Sequence, residues 1–99
     1  MDPIQLNKSY NNKCVERLLV RPPLCTITMK ELLSAMESLG FVVENVRGSH
    51  YKFSHPQCSE VTIPIIPKPH GGSNEVKRAY IRHIQDAIVE INERKNNIL

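Results

Sequence analysis

The chain has no run of apolar residues near the ~18 needed to cross a bilayer, so nothing in it reads as a membrane span. Its first stretch, MDPIQLNKSYNNK, shows no basic start leading into an apolar core and no small-residue cleavage site. It therefore does not read as a secretory signal, and a cytoplasmic address is the expectation. Closely spaced cysteine pairs are missing as well. Cys14, Cys25 and Cys58 are odd in number and far apart, which argues against a disulfide framework and predicts three free thiols. Strong charge of one sign is also absent, the formal net charge being +3. What remains is 40% hydrophobic and 23% charged residues in a chain of 99, the make-up of one globular domain, because so short a chain closes one core.

With the overall charge so small, its placement is more informative. Between Gly48 and His83, Lys52, Lys68, Lys77, Arg78 and Arg82 stand against only Glu60 and Glu75. Such a field favours an anionic partner such as nucleic acid, although cations on a solvated face would give the same pattern.

Along the chain, the first ten residues show no periodicity and read as a loose tail. Residues 11–20 place Val15, Leu18 and Leu19 at helical spacing, with Asn11 or Asn12 as cap, and Pro22 and Pro23 stop the helix. Thr28-Met29-Lys30-Glu31 fits a capping box that opens a helix over 28–39, with Leu32, Leu33, Met36 and Leu39 as its apolar stripe and Gly40 just beyond. Three extended runs follow, at 41–47, 49–54 and 60–65, the last with Val61, Ile63 and Ile65 on one side. Gly48 suits a reversal between the first two. Residues 66–73 hold two prolines and two glycines and read as a loop. Ser73 or Asn74 then caps a long helix whose face carries Val76, Ala79, Tyr80, Ile84, Ala87, Ile88 and Ile91, and the end past Glu93 reads as frayed.

The expected fold class is therefore α+β. It has αβββα order, a three-stranded antiparallel sheet with two helices on one face, and an extra N-terminal helix. Double-stranded-RNA-binding domains (dsRBDs) share that order, which by itself says little of function. If Tyr51, Phe53, Val61 and Ile63 point to the helices, alternation puts His50, Lys52, Ser54 and Thr62 on the open side.

His50 is the sharpest candidate for chemistry. An imidazole can take a proton from one oxygen and return it to another, and RNA brings its own nucleophile in the 2′-hydroxyl. An ordinary strand histidine with no catalytic part is the plain alternative. Its setting favours chemistry: Gly48 allows close backbone approach, Ser49 offers a hydroxyl, and Lys52 falls on the same face, where it could hold a phosphate. The segment Lys68-Pro69-His70-Gly71-Gly72-Ser73, whose glycines lead into a helix N-terminus with Lys68 or Lys77 nearby, could seat a phosphate or be a plain connector. Zinc on His50, His55, Cys58 and His70 has the right ligand types, but His55-x-x-Cys58 lacks a second pair, so no metal is expected. His83 reads as a solvated helix residue, and Tyr10, Tyr51 and Phe53 as tail and core rather than base-stacking platforms.

From Lys30 to Val89, "KELLSAMESLGFVV", "GSHYKF", "VTIPI", the proline-histidine loop and the last helix together resemble the HicA (YcfA-like) family of bacterial toxins. The resemblance implies a dsRBD-like domain over 26–95 and an N-terminal extension over 1–25 with a short helix at 11–20. It also implies a cytoplasmic mRNA interferase of a type II toxin-antitoxin system, cleaving RNA without a cofactor. His50 would then be catalytic, Gly48, Ser49, Lys52, Lys68, His70 and Lys77 would contact RNA, and a HicB-like antitoxin would be the protein partner. Family members begin almost directly at the first core helix. The extension here could cover part of the sheet or make a homodimer contact. A non-catalytic RNA- or DNA-binding module of the same fold, or a pure protein-interaction domain, would carry the same pattern without turnover.

Overall fold

In the computed structural model, which describes residues 2–23, 26–69, 74–95 and 97–99, ten short elements surround one core. They are β1 (Asp2–Pro3), α1 (Lys13–Leu18), β2 (Val20–Arg21), β3 (Ile27–Thr28), α2 (Met29–Ser38), β4 (Val42–Val46), β5 (His50–Ser54), β6 (Ile66–Pro67), β7 (Glu75–Val76) and α3 (Arg78–Arg94). The class is α+β. The main sheet has the antiparallel order β4-β5-β6, helices pack on it, and β1-β2 and β3-β7 form two small ladders beside it. Among the described residues no helix is long and apolar enough to cross a membrane.

α2 begins where its sequence dictates. The Thr28 hydroxyl accepts from the Glu31 N–H at 3.2 Å while the Glu31 carboxylate accepts from the Thr28 N–H at 3.1 Å, so two orphan amides are satisfied reciprocally. These bonds, ahead of the Arg17 charge, hold the Glu31 carboxyl below its usual range. The helix buries Met29, Leu32, Ala35 and Met36 and ends at Gly40, whose φ of +89° only glycine adopts readily. Asn12 caps α1 by accepting from the Cys14 N–H at 2.8 Å, and Val15 and Leu18 enter the core. Between β4 and β5, Arg47 (φ 56°) and Gly48 (φ 71°) are both left-handed, the sense of turn that matches the twist of the flanking strands.

Four expectations are corrected. The third strand is not 60–65 but β6. Continued at the register of β6, the ladder would set Pro64 opposite Phe53, and proline has no N–H to donate. Val61 and Ile63 are buried as expected, but Ile65 turns outward and Ile66 fills the interior instead. The final helix starts at Arg78 with Lys77 as N-cap, not at Ser73 or Asn74, because Glu75–Val76 pairs with Ile27–Thr28 as β7. Ser73 lies outside the described residues. Val76 is thus buried from a strand, Ala79 is exposed, and Ile81 completes the helix face.

The remaining two corrections concern the ends of the chain. The first ten residues are tied down: β1 pairs with β2, and the Asn7 and Lys8 amides donate to the Leu99 carbonyl at 2.9 and 3.2 Å. The end past Glu93 is likewise packed, Ile98 and Leu99 being part of the core. Gln85, buried on α3, donates from Nε2 to the carbonyls of Leu18 and Val20, fixing the α1-β2 corner against the last helix. Sequence gave no hint of this, since a glutamine in a helix normally reads as solvated.

Candidate active site on the open face of the sheet

β5 is the central strand, and its alternation sorts its side chains. Phe53 is 2% exposed beneath the helices and Tyr51 packs against the same core. His50, Lys52 and Ser54 therefore take the other face, as do their ladder partners Val46, Glu44 and Val42. That face is open: Lys52 and Glu44 are exposed and Val42 is 52% exposed.

His50 stands at the hairpin end of this face, half-buried. Its Nδ1 lies 3.0 Å from the Ser49 hydroxyl, a contact that orients the ring. Ser49 is fixed in turn, because its carbonyl accepts from the Lys68 N–H at 2.7 Å. Gly48 needs its positive φ, but a Cβ there would meet nothing within 4 Å, so its part is the turn and not a close contact. Lys52 lies along the same face, opposite Glu44, whose charge the sequence reading overlooked.

Beside His50 runs a groove with a cavity volume of about 510 Å³. Pro67, the ladder partner of His50, forms part of its wall, and Lys68, Lys77 and Arg78 line it with Tyr80 and Val76. Lys68 and Lys77, expected to contact a polyanion, are thus gathered in one groove, together with Glu75, and that groove reaches Pro67, the residue opposite His50. Arg78 entered the sequence reading only as charge. Tyr80 was assigned wholly to the core stripe; only the late start of α3 shows that it also reaches the groove. His70, Gly71 and Gly72 lie outside the described residues.

The zinc candidates are not brought together. His55 is 3% exposed in the interior, where its Nδ1 accepts from the Gln57 N–H at 3.2 Å and its ring meets Phe41 edge-on at 5.1 Å. Desolvation by burial pushes its pKa down. Cys58 is buried, and its hydrogen bond with the Glu60 side chain, followed by burial, raises the thiol pKa and suits it poorly to metal ligation or attack. Cys14 is a free thiol too, and Cys25 lies outside the described residues. Among the described residues no group of three or more His, Cys, Asp or Glu could hold a metal ion.

A model of the family described as the HicA toxin of bacterial toxin-antitoxin matches residues 29–90. No curated protein and no solved structure matches the chain. The matched span opens at the first residue of α2, takes in the hairpin, His50 and all of the described groove lining but Thr26, and closes inside α3. With well over half of its length so matched, the chain belongs to the HicA toxin family, the toxin side of a bacterial toxin-antitoxin pair, for which a cognate antitoxin is the partner.

Proposed function

We propose that this toxin is a cytoplasmic endoribonuclease, an mRNA interferase, with His50 as its general acid/base. The observation that carries the reading is an imidazole held at Nδ1 by Ser49 on the open face of the sheet, beside a groove lined by three cations. Nε2 takes the proton of a ribose 2′-hydroxyl. The freed oxygen bonds to the adjacent phosphorus, the P–O5′ bond breaks, and the proton passes from Nε2 to the departing O5′. A 2′,3′-cyclic phosphate and a 5′-hydroxyl result, and the nucleophile comes from the substrate, so the step needs no metal. Lys52 and Lys68 neutralise charge on the phosphates, Lys77 holds a further one, and Gly48 and Ser49 shape the hairpin that presents the ring. A HicB-like antitoxin covering this face would silence the enzyme.

Incubating the purified chain with end-labelled RNA tests this. Shortened products ending in 2′,3′-cyclic phosphate are expected. His50→Ala should lower the rate about 10²–10⁴-fold, the range for one acid/base group, with an unchanged circular dichroism spectrum. Full-rate cleavage by that variant removes His50 from the mechanism, and RNA that is retarded but intact with the parent protein makes the chain a binding module.

A further inference from the structure

Resting on the ribonuclease reading, we propose that the groove between β6 and the start of α3 is a nucleobase subsite, which takes one unpaired base of single-stranded RNA and stacks it on Tyr80. The lining has two chemistries. Tyr80, Val76, Pro67 and Pro69 give it an apolar and aromatic wall, while Lys68, Lys77 and Arg78, all exposed, outnumber the lining carboxylate of Glu75 and leave a net positive charge. A nucleotide has the same two parts, a flat ring and a phosphate. The volume of about 510 Å³ lies in the range of roughly 300–1,000 Å³ in which proteins hold ring-sized ligands.

Tyr80 is suited to the task by its placement. It is half-buried, packed against the core and yet part of the groove, so its ring is held in place before any ligand arrives. Stacking on a fixed aromatic reads the face of a base, which every base has, and so selects unpaired nucleotides without strong sequence preference. In a duplex those faces are covered by neighbouring bases, and a paired base could enter only by being flipped out.

The groove is coupled to the chemistry through Pro67. Directly opposed residues of a ladder project to the same face, and Pro67 stands opposite His50 on a neighbouring strand, such strands being about 4.8 Å apart. A base seated against Pro67 and Tyr80 thereby brings its own ribose and phosphate to the hairpin end, where Nε2 waits. The subsite is a positioning device as well as an anchor.

The test uses the His50→Ala chain, so that binding is read without cleavage, and a fluorescein-labelled single-stranded RNA octamer. Tyr80→Leu keeps apolar packing on the core and removes the aromatic face; thermal melting checks that it folds, and Tyr80→Phe should bind as the parent does. Tyr80→Leu should weaken binding about 5- to 150-fold, the range that one stacked base supports. An octamer series with one abasic site at successive positions should show a single position of comparable loss, and Tyr80→Leu should abolish that position's effect. Equal affinity of the Tyr80→Leu and parent chains, or equal affinity for the duplex of the same sequence, overturns the subsite. If His50-dependent cleavage persists with an unchanged KM in a Tyr80→Leu chain that retains His50, the ribonuclease stands and the subsite falls. If no RNA is cut but the Tyr80-dependent abasic effect is seen, the subsite stands and the ribonuclease falls.

Discussion

One histidine begins β5 and another follows directly after it, and the two ends of the strand treat the same side chain in opposite ways. His50 sits at the hairpin end on the open face, where its Nδ1 lies 3.0 Å from the Ser49 hydroxyl. His55 sits beyond the far end, sealed inside. Its Nδ1 accepts from a backbone amide, its ring abuts Phe41, and it is further engaged by a hydrogen bond with the Leu39 backbone. Any proton added to His55 at Nδ1 would turn an acceptor into a donor facing a donor. Residue type offers the same chemistry at both ends; burial and what is bound to the nitrogens set the two rings apart.

The sharpest way to break that comparison is to exchange the losses. His55→Ala should destabilise the fold by about 2–3 kcal/mol in urea denaturation, since it truncates a buried ring and strands the Gln57 amide. His50→Ala should stay within about 0.5 kcal/mol of the parent, as surface substitutions do. Two variants of equal stability would show that the burial contrast has no energetic meaning. Acid should tell the same story. Burial lowers the His55 pKa below its ordinary 6.5, so below pH 6.5 the unfolded chain binds a proton there more readily than the folded one. Folding free energy from this group is therefore complete above pH 6.5 and declines as pH falls from there through the depressed folded value. Urea midpoints measured downward from pH 7.5 should drop, and His55→Gln should remove that part of the slope.

Each histidine also has a glycine near it, and these sharpen the comparison at smaller amplitude. Gly40 and Gly48 both hold positive φ, so either alanine variant carries the left-handed penalty of about 1–2 kcal/mol. At Gly48 nothing lies within 4 Å of the added carbon; at Gly40 the carbon would stand 3.3 Å from Nε2 of His55. Gly40→Ala should therefore cost roughly 2 kcal/mol, with the His55 ring displaced, against about 1 for Gly48→Ala. Calorimetric melting of the two variants checks the order, and a reversed order would place the stronger packing at the hairpin.

The same contrast explains what could be read in advance. The α2 capping box, the Gly40 stop and the hairpin at Gly48 are local signals, settled by residues three or four apart, and they stand in the fold as read. The pairing of β3 with β7, the clasp of Asn7 and Lys8 on Leu99, and the hold of Gln85 on Leu18 and Val20 join residues far apart in sequence, where periodicity carries no information. The shift of the third strand to β6 had a visible cause in Pro64, but two prolines nearby made the whole segment look like loop. At the site, the open-face position of His50 followed from strand alternation alone. The assembly of Lys68, Lys77, Arg78 and Tyr80 did not, because it depends on where α3 begins.

The smallest effect concerns Glu44, a carboxylate standing across the ladder from Lys52 on the face that the proposed function assigns to RNA. Both side chains are exposed, so their interaction is worth little to the fold, and exchanging either should leave stability unchanged. Toward RNA they should act in opposite directions: Glu44→Gln should lower KM about two- to five-fold at low salt, and Lys52→Gln should raise it by a similar factor. Both effects should fade as the Debye length shrinks from about 10 Å at 0.1 M salt to 3 Å at 1 M. If KM is indifferent to both, phosphate recognition rests with the groove cations alone, and the open face contributes its imidazole but not its charge. If only Glu44→Gln acts, the acid is a brake on RNA binding, and Lys52 serves to hold that acid instead of a phosphate.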